Sequence, residues 1–192
     1  MKIRRLQKNH EIIMGRYEDV LDEYLNEDED GKARLIYAQF GLAIYCTNCL
    51  EETFSIMIWT NRIFKQRLKT TEEVKAIIDE VENTKKTMGQ LLQEIKENYG
   101  LSEIHQQLLK KVLAKRNYLI HKYFRLEINK FYSETGQKEM LKYFGDSIDE
   151  TMLIDAELQH YFEHYKLKLG FDDNKISELV AKMKEEERKR DN

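Results

Sequence analysis

The chain has 192 residues, of which 35% are charged and 41% hydrophobic, with eight glycines, no proline and a formal charge of −3. This length supports one sizeable core, and the composition fits long uninterrupted amphipathic helices while excluding sheets joined by tight turns. The near-balanced charge excludes a global field drawing the chain to nucleic acid or membrane, so an anionic partner must meet a local basic patch.

The first helix is expected from about Lys8 to Leu25, closing in the acidic turn "NEDEDG" at Gly31. No run approaches the ~18 apolar residues that span a bilayer. The opening "MKIRRLQKNHEIIMG" also lacks the continuous apolar core of a signal peptide, so a cytoplasmic protein without membrane contact is expected.

A long core helix follows from Lys32 to about Arg67, with Ile36, Phe40, Ala43, Ile44, Thr47, Phe54 and Ile58 spaced by three, four and seven. It carries the only cysteines, Cys46 and Cys49, as C-x-x-C. Without a second pair of ligands this reads as two reduced thiols, not a zinc site.

"KTTEEV" restarts the chain with Thr70 and Glu73 as a capping box, and the helix is expected to reach "ENYG", where Gly100 suits a left-handed cap. Ser102 caps the next helix, expected to run through "KRNYLIHKYF" until "SETGQ" interrupts it. A short piece at "QKEMLKYFG", a second capping box at Ser147 and Glu150, and a helix to Leu169 come next. A tail helix from about Asn174 ends in the solvated charges of residues 182–192.

With no linker-like stretch, one all-α domain over 1–192 is expected. Its architecture is an antiparallel helical bundle with a core at about 32–170 and additional N- and C-terminal helices.

Within "KRNYLIHKYF", a step of about 100° per residue puts Arg116 at the centre of the apolar arc of Leu109, Val112, Leu113, Leu119, Ile120, Tyr123 and Phe124. Asn117 and His121, four apart, share one flank, and Tyr123 falls almost directly above Arg116. A buried guanidinium needs a carboxylate, a wet cleft or an anionic ligand. Glu51 lies in the apolar arc of its own helix, so it is expected near Arg116, in the same chain or across a subunit interface, unless its head simply reaches water.

Lys110, Lys111, Lys115, Arg116, Lys122 and Arg125 place six positive charges in sixteen residues without an acid. This is either a phosphate-binding patch or a solvated basic face. His160 and His164 are four apart without a third ligand and read as surface residues, and no metal or cofactor is expected. His10 and His105 have no nameable partner.

Arg116-Asn117-x-x-x-His121 resembles the R-x4-6-H signature of the HEPN superfamily, small helical proteins that include metal-independent ribonucleases of toxin–antitoxin and other defence systems. The longer Arg116-x4-His121-x-Tyr123 is similar to the motif of HEPN toxins paired with minimal nucleotidyltransferase antitoxins. The motif covers eight residues, late in a long helix of a bundle as in the family.

The resemblance implies a homodimeric endoribonuclease, a toxin or defence effector, that leaves a 2′,3′-cyclic phosphate and a 5′-hydroxyl. In it His121 transfers protons, Arg116 stabilises phosphorane charge and Asn117 orients them. Tyr123 would line the cleft as the counterpart of the tyrosine that an antitoxin modifies. A nucleotidyltransferase or another small protein is the implied antitoxin. The competing reading is a non-catalytic helical dimer that binds a protein partner or RNA.

Overall fold

The computed structural model describes residues 15–68, 70–170 and 172–191, and among these it is an all-α helical bundle protein with no strand. The helices are α1 (Arg16–Leu25), α2 (Glu29–Gln66), α3 (Thr71–Glu82), α4 (Met88–Tyr99), α5 (Glu103–His121), α6 (Tyr123–Glu127), α7 (Glu134–Lys168) and α8 (Asp173–Arg188). Short 3₁₀ turns follow α6 at Ile128–Tyr132 and α8 at Lys189–Asp191. No helix of the described residues is long and apolar enough to cross a membrane. The expected start of the first helix at Lys8, and His10, lie outside the described residues.

The described helices form two compact units, one of residues up to Leu50 with Gln107–Ile154, the other of Glu51–Gln106 with the residues from Asp155 onward. The first unit is centred on Tyr24, Ile36, Ala43, Leu119, Tyr123, Met140, Phe144 and Ile148. Tyr24 is fully buried, and its hydroxyl donates to Gln137 Oε1 at 2.6 Å, which removes the cost of burying a phenol.

Asp149 accepts the backbone N–H groups of Gly15 and Arg16 at 3.2 and 3.3 Å, fixing the start of α1 on α7. Burial pushes its carboxyl up despite these two bonds. A Cβ at Gly145 would stand 3.1 Å from the Tyr17 backbone nitrogen, so a larger residue there would push α1 away.

In the second unit α2 supplies Phe54, Met57, Ile58 and Ile63, α4 supplies Leu91, Leu92 and Ile95, and α7 supplies Leu158 and Phe162. Arg62 of α2 donates to Glu80 of α3 at 2.8 Å and to Glu94 of α4 at 2.6 Å, while Lys86 reaches the other oxygen of Glu94 at 2.6 Å. Burial raises the Glu94 carboxyl, but the two cations outweigh it and hold it below the usual range. Thr53 donates to the largely enclosed Asp155 at 2.6 Å, and burial pushes that carboxyl up.

Four helix boundaries depart from the sequence expectations. The acidic turn is only Asn26–Asp28: Asp28 Oδ1 accepts the Gly31 N–H at 2.7 Å, so Glu29, Asp30 and Gly31 form the first turn of α2, where acids complement the helix dipole. The expected helix from Thr70 to Gly100 is two. The Thr70–Glu73 box and the left-handed Gly100 are present, but α3 ends at Asn83 and a second box, Thr87 with Gln90, starts α4.

The helix through the motif breaks at Lys122, whose backbone leaves helical geometry (φ −133°, ψ −29°). Finally, α7 is continuous over 35 residues, so Ser147 is no cap: it lies buried in mid-helix, its carbonyl accepting the Thr151 hydroxyl at 2.7 Å. The start of α7 instead belongs to Ser133, whose Oγ accepts the Gly136 N–H at 3.1 Å.

Candidate functional site

The candidate residues stand on the last turns of α5 in the first unit. Ser102 starts this helix by accepting the His105 N–H at 3.2 Å, and its buried stripe runs Leu109, Val112, Leu119. Arg116, four after Val112 and three before Leu119, falls on that stripe and is half-buried, as the helical phase requires. Its Nη1 donates to Asn117 Oδ1 at 3.3 Å.

Asn117 and His121 are both exposed and one turn apart on the same face. His121 makes no hydrogen bond or ion pair to a described residue, leaving its ring nitrogens open to solvent or a ligand. The guanidinium therefore touches the amide, and the amide shares its face with the imidazole.

Tyr123 behaves otherwise. It is 2% exposed, with its ring 5.1 Å from Tyr143 and 4.9 Å from Phe144, and burial pushes its phenol well above the ordinary range. Tyr123, four after Leu119 and seven after Arg116, continues the buried stripe past the break at Lys122 and packs in the core of the first unit, as the helical phase requires. Ile120, expected on the apolar arc, is exposed.

The basic residues divide. Lys111 and Lys115 both bind Glu150 of α7, at 2.8 and 2.9 Å, and Lys115 also lies 5.6 Å from the centroid of the Tyr143 ring. Burial raises the Glu150 carboxyl, but the two ammonium groups dominate and hold it below its ordinary value. Lys110, Lys122 and Arg125 are exposed and pair with no described acid. Glu51 is half-buried on α2 and belongs to the second unit, Arg116 to the first.

His105 has partners that sequence inspection could not name. Its Nδ1 lies 2.8 Å from the Tyr161 hydroxyl and its Nε2 3.6 Å from Glu157, while Tyr161 also accepts the Ser102 N–H at 3.2 Å. Glu157 and Tyr161 are four apart on α7, a spacing that puts them on one face, but no local signal ties that face to a histidine 56 residues away. Among the described residues no group of histidines, cysteines and acids is placed to hold a metal. His160 and His164 are exposed, and Cys46 and Cys49 are not joined in a disulfide. Comparison with protein-family models, curated proteins and solved structures finds no match.

Proposed function

We propose that the chain is an HEPN-type, metal-independent endoribonuclease acting as a homodimer, a cytoplasmic toxin or defence effector restrained by a small partner such as a minimal nucleotidyltransferase. The observation that carries the reading is the composition and exposure of the end of α5, where Arg116 contacts Asn117 and Asn117 shares a solvent-facing side with His121.

In this reading the His121 imidazole takes the proton of a ribose 2′-hydroxyl as that oxygen attacks the adjacent phosphorus. The 5′-oxygen leaves with a proton from the second copy's histidine, giving a 2′,3′-cyclic phosphate and a 5′-hydroxyl. Arg116 offers paired N–H donors to the phosphoryl oxygens as their charge grows, and Asn117 holds the guanidinium in place. Lys110, Lys122 and Arg125 supply the electrostatic attraction for the RNA backbone, whereas Lys111 and Lys115 must first release Glu150.

Purified protein incubated with RNA in excess chelator tests this directly. Cyclic-phosphate ends that vanish in His121→Ala support it, and a folded dimer that cuts no RNA overturns it. The engagement of Lys111 and Lys115 by Glu150, and of Tyr123 by the core, favours the second reading, a non-catalytic helical dimer that binds a protein partner or RNA. That reading expects His121→Ala to weaken the fold or dimer and to remove no activity.

A further inference from the structure

The net charge conceals a segregation of charge within the first unit. Residues 31–50 and 104–126 contain no aspartate or glutamate. The parts of these segments in the first unit carry eight cations, Lys32 and Arg34 on α2 and six from Lys110 to Arg125. The described acids of this unit stand instead on α1, on the turn before α2 and its first residues, on α7, and at Glu127.

The two acid-free segments meet where the Tyr37 ring lies 5.7 Å from Phe124, and the ring contacts continue beyond them, Tyr37 lying 5.5 Å from Phe131 and Phe131 6.4 Å from Tyr132. This ladder runs from the core to the open surface, with Tyr37 54% and Tyr132 80% exposed. Arg34, one turn before Tyr37, and Lys122 and Arg125 on α6 and its lead-in are exposed and pair with no described acid. The acids near these rings are engaged: Glu127 by the Tyr118 hydroxyl at 2.6 Å and by Lys130 at 3.2 Å, Glu139 by Lys130 at 3.0 Å, and Glu134, two residues after Tyr132, by Lys138 at 2.6 Å.

Exposed rings between uncompensated cations suit a ligand that is both anionic and flat-faced. Bases stack on any aromatic side chain, phosphates meet the cations, and a duplex hides the faces of its bases, so the matching ligand is single-stranded. A second copy of the chain fits less well, because a two-fold contact here would bring Arg34, Lys122 and Arg125 against their own counterparts.

We propose that Tyr37 and Tyr132 form a base-stacking site for single-stranded RNA, with Arg34, Lys122 and Arg125 holding its phosphates. The choice of RNA as the nucleic acid rests on the nuclease reading above; the site itself rests on the ring ladder and the charge segregation.

The test measures fluorescence anisotropy of a short fluorescein-labelled single-stranded RNA, and of the same strand in a duplex, with full-length His121→Ala protein so that the strand stays whole. The single strand binds more tightly than the duplex. Adding Tyr132→Ala weakens binding about tenfold, adding Tyr132→Trp restores it, and Arg125→Glu weakens it and flattens its salt dependence. Tyr132 is exposed enough that its loss leaves the fold intact, which circular dichroism verifies.

Affinity unchanged within about twofold in both Tyr37→Ala and Tyr132→Ala, or equal binding of the duplex, overturns the site. So does unchanged RNA affinity with dissociation of a dimer in light scattering, which would make this surface a contact between copies. Tyrosine-dependent binding by a protein whose native form cuts nothing removes only the nuclease reading. Cutting with tyrosine-independent binding removes only the stacking site.

Discussion

Two histidines of α5 received opposite treatment. His105, in the first turn, is tied to Tyr161 and Glu157, and the same tyrosine hydroxyl holds the Ser102 N–H. His121, in the last turn, is exposed, beside an asparagine that receives an arginine. The contrast separates two uses of a polar side chain. One satisfies neighbouring groups and fixes a helix start, so its removal acts on stability; the other keeps its ring nitrogens available, so its removal acts on whatever binds there.

The largest expected effect sharpens this contrast. His121→Ala lowers RNA cleavage by about a hundredfold or more while the thermal midpoint and helical circular dichroism stay near those of the parent. A fall in stability without any cleavage to lose would erase the distinction between the two histidines. Arg116→Lys follows, because an ammonium cannot reproduce the paired donors of a guanidinium. It reduces kcat by about tenfold or more in a single-turnover assay.

The reverse expectation applies to His105→Ala. Loss of its contacts lowers unfolding free energy by about 1 kcal/mol in denaturant titrations and leaves cleavage within about twofold of the parent. Cleavage lost here at unchanged stability would move the active centre to the Tyr161–Glu157 cluster.

The smallest effect is that of Glu150→Gln, which frees Lys111 and Lys115 and raises RNA affinity by a few-fold at low salt. Because the Glu150 carboxyl is held below its ordinary 4.5, its stabilisation is complete above that pH and is lost as pH falls through the depressed value. The variant is therefore slightly less stable than the parent at neutral pH, and the two converge in acid.

The sequence made local signals readable because their chemistry is short-ranged. Thr70 with Glu73 and Gly100 mark helix ends through bonds or backbone angles spanning a few residues. Arg116 was likewise placed on the buried stripe of α5, because three- and four-residue spacing fixes a face within a continuous helix.

What failed depended on partners distant in sequence. The break at Lys122 has no marker in the sequence, which reads as one helix through Phe124, although three- and four-residue spacing still puts Tyr123 on the buried stripe, where it meets Tyr143 and Phe144 of α7. Ser147 and Glu150 form a capping pattern that the burial of their helix overrides, Ser147 becoming core and Glu150 a lysine clamp. The network of His105 is closed by residues half a helix bundle away along the chain, and no spacing within α5 announces it.

The central claim is that the end of α5 cuts RNA without metal. Its most direct test is end-group analysis of labelled RNA incubated in excess chelator with wild-type and His121→Ala protein. The account predicts 2′,3′-cyclic phosphate and 5′-hydroxyl ends from the wild type and intact RNA from the variant. Intact RNA from both, or the same products from both, would contradict it.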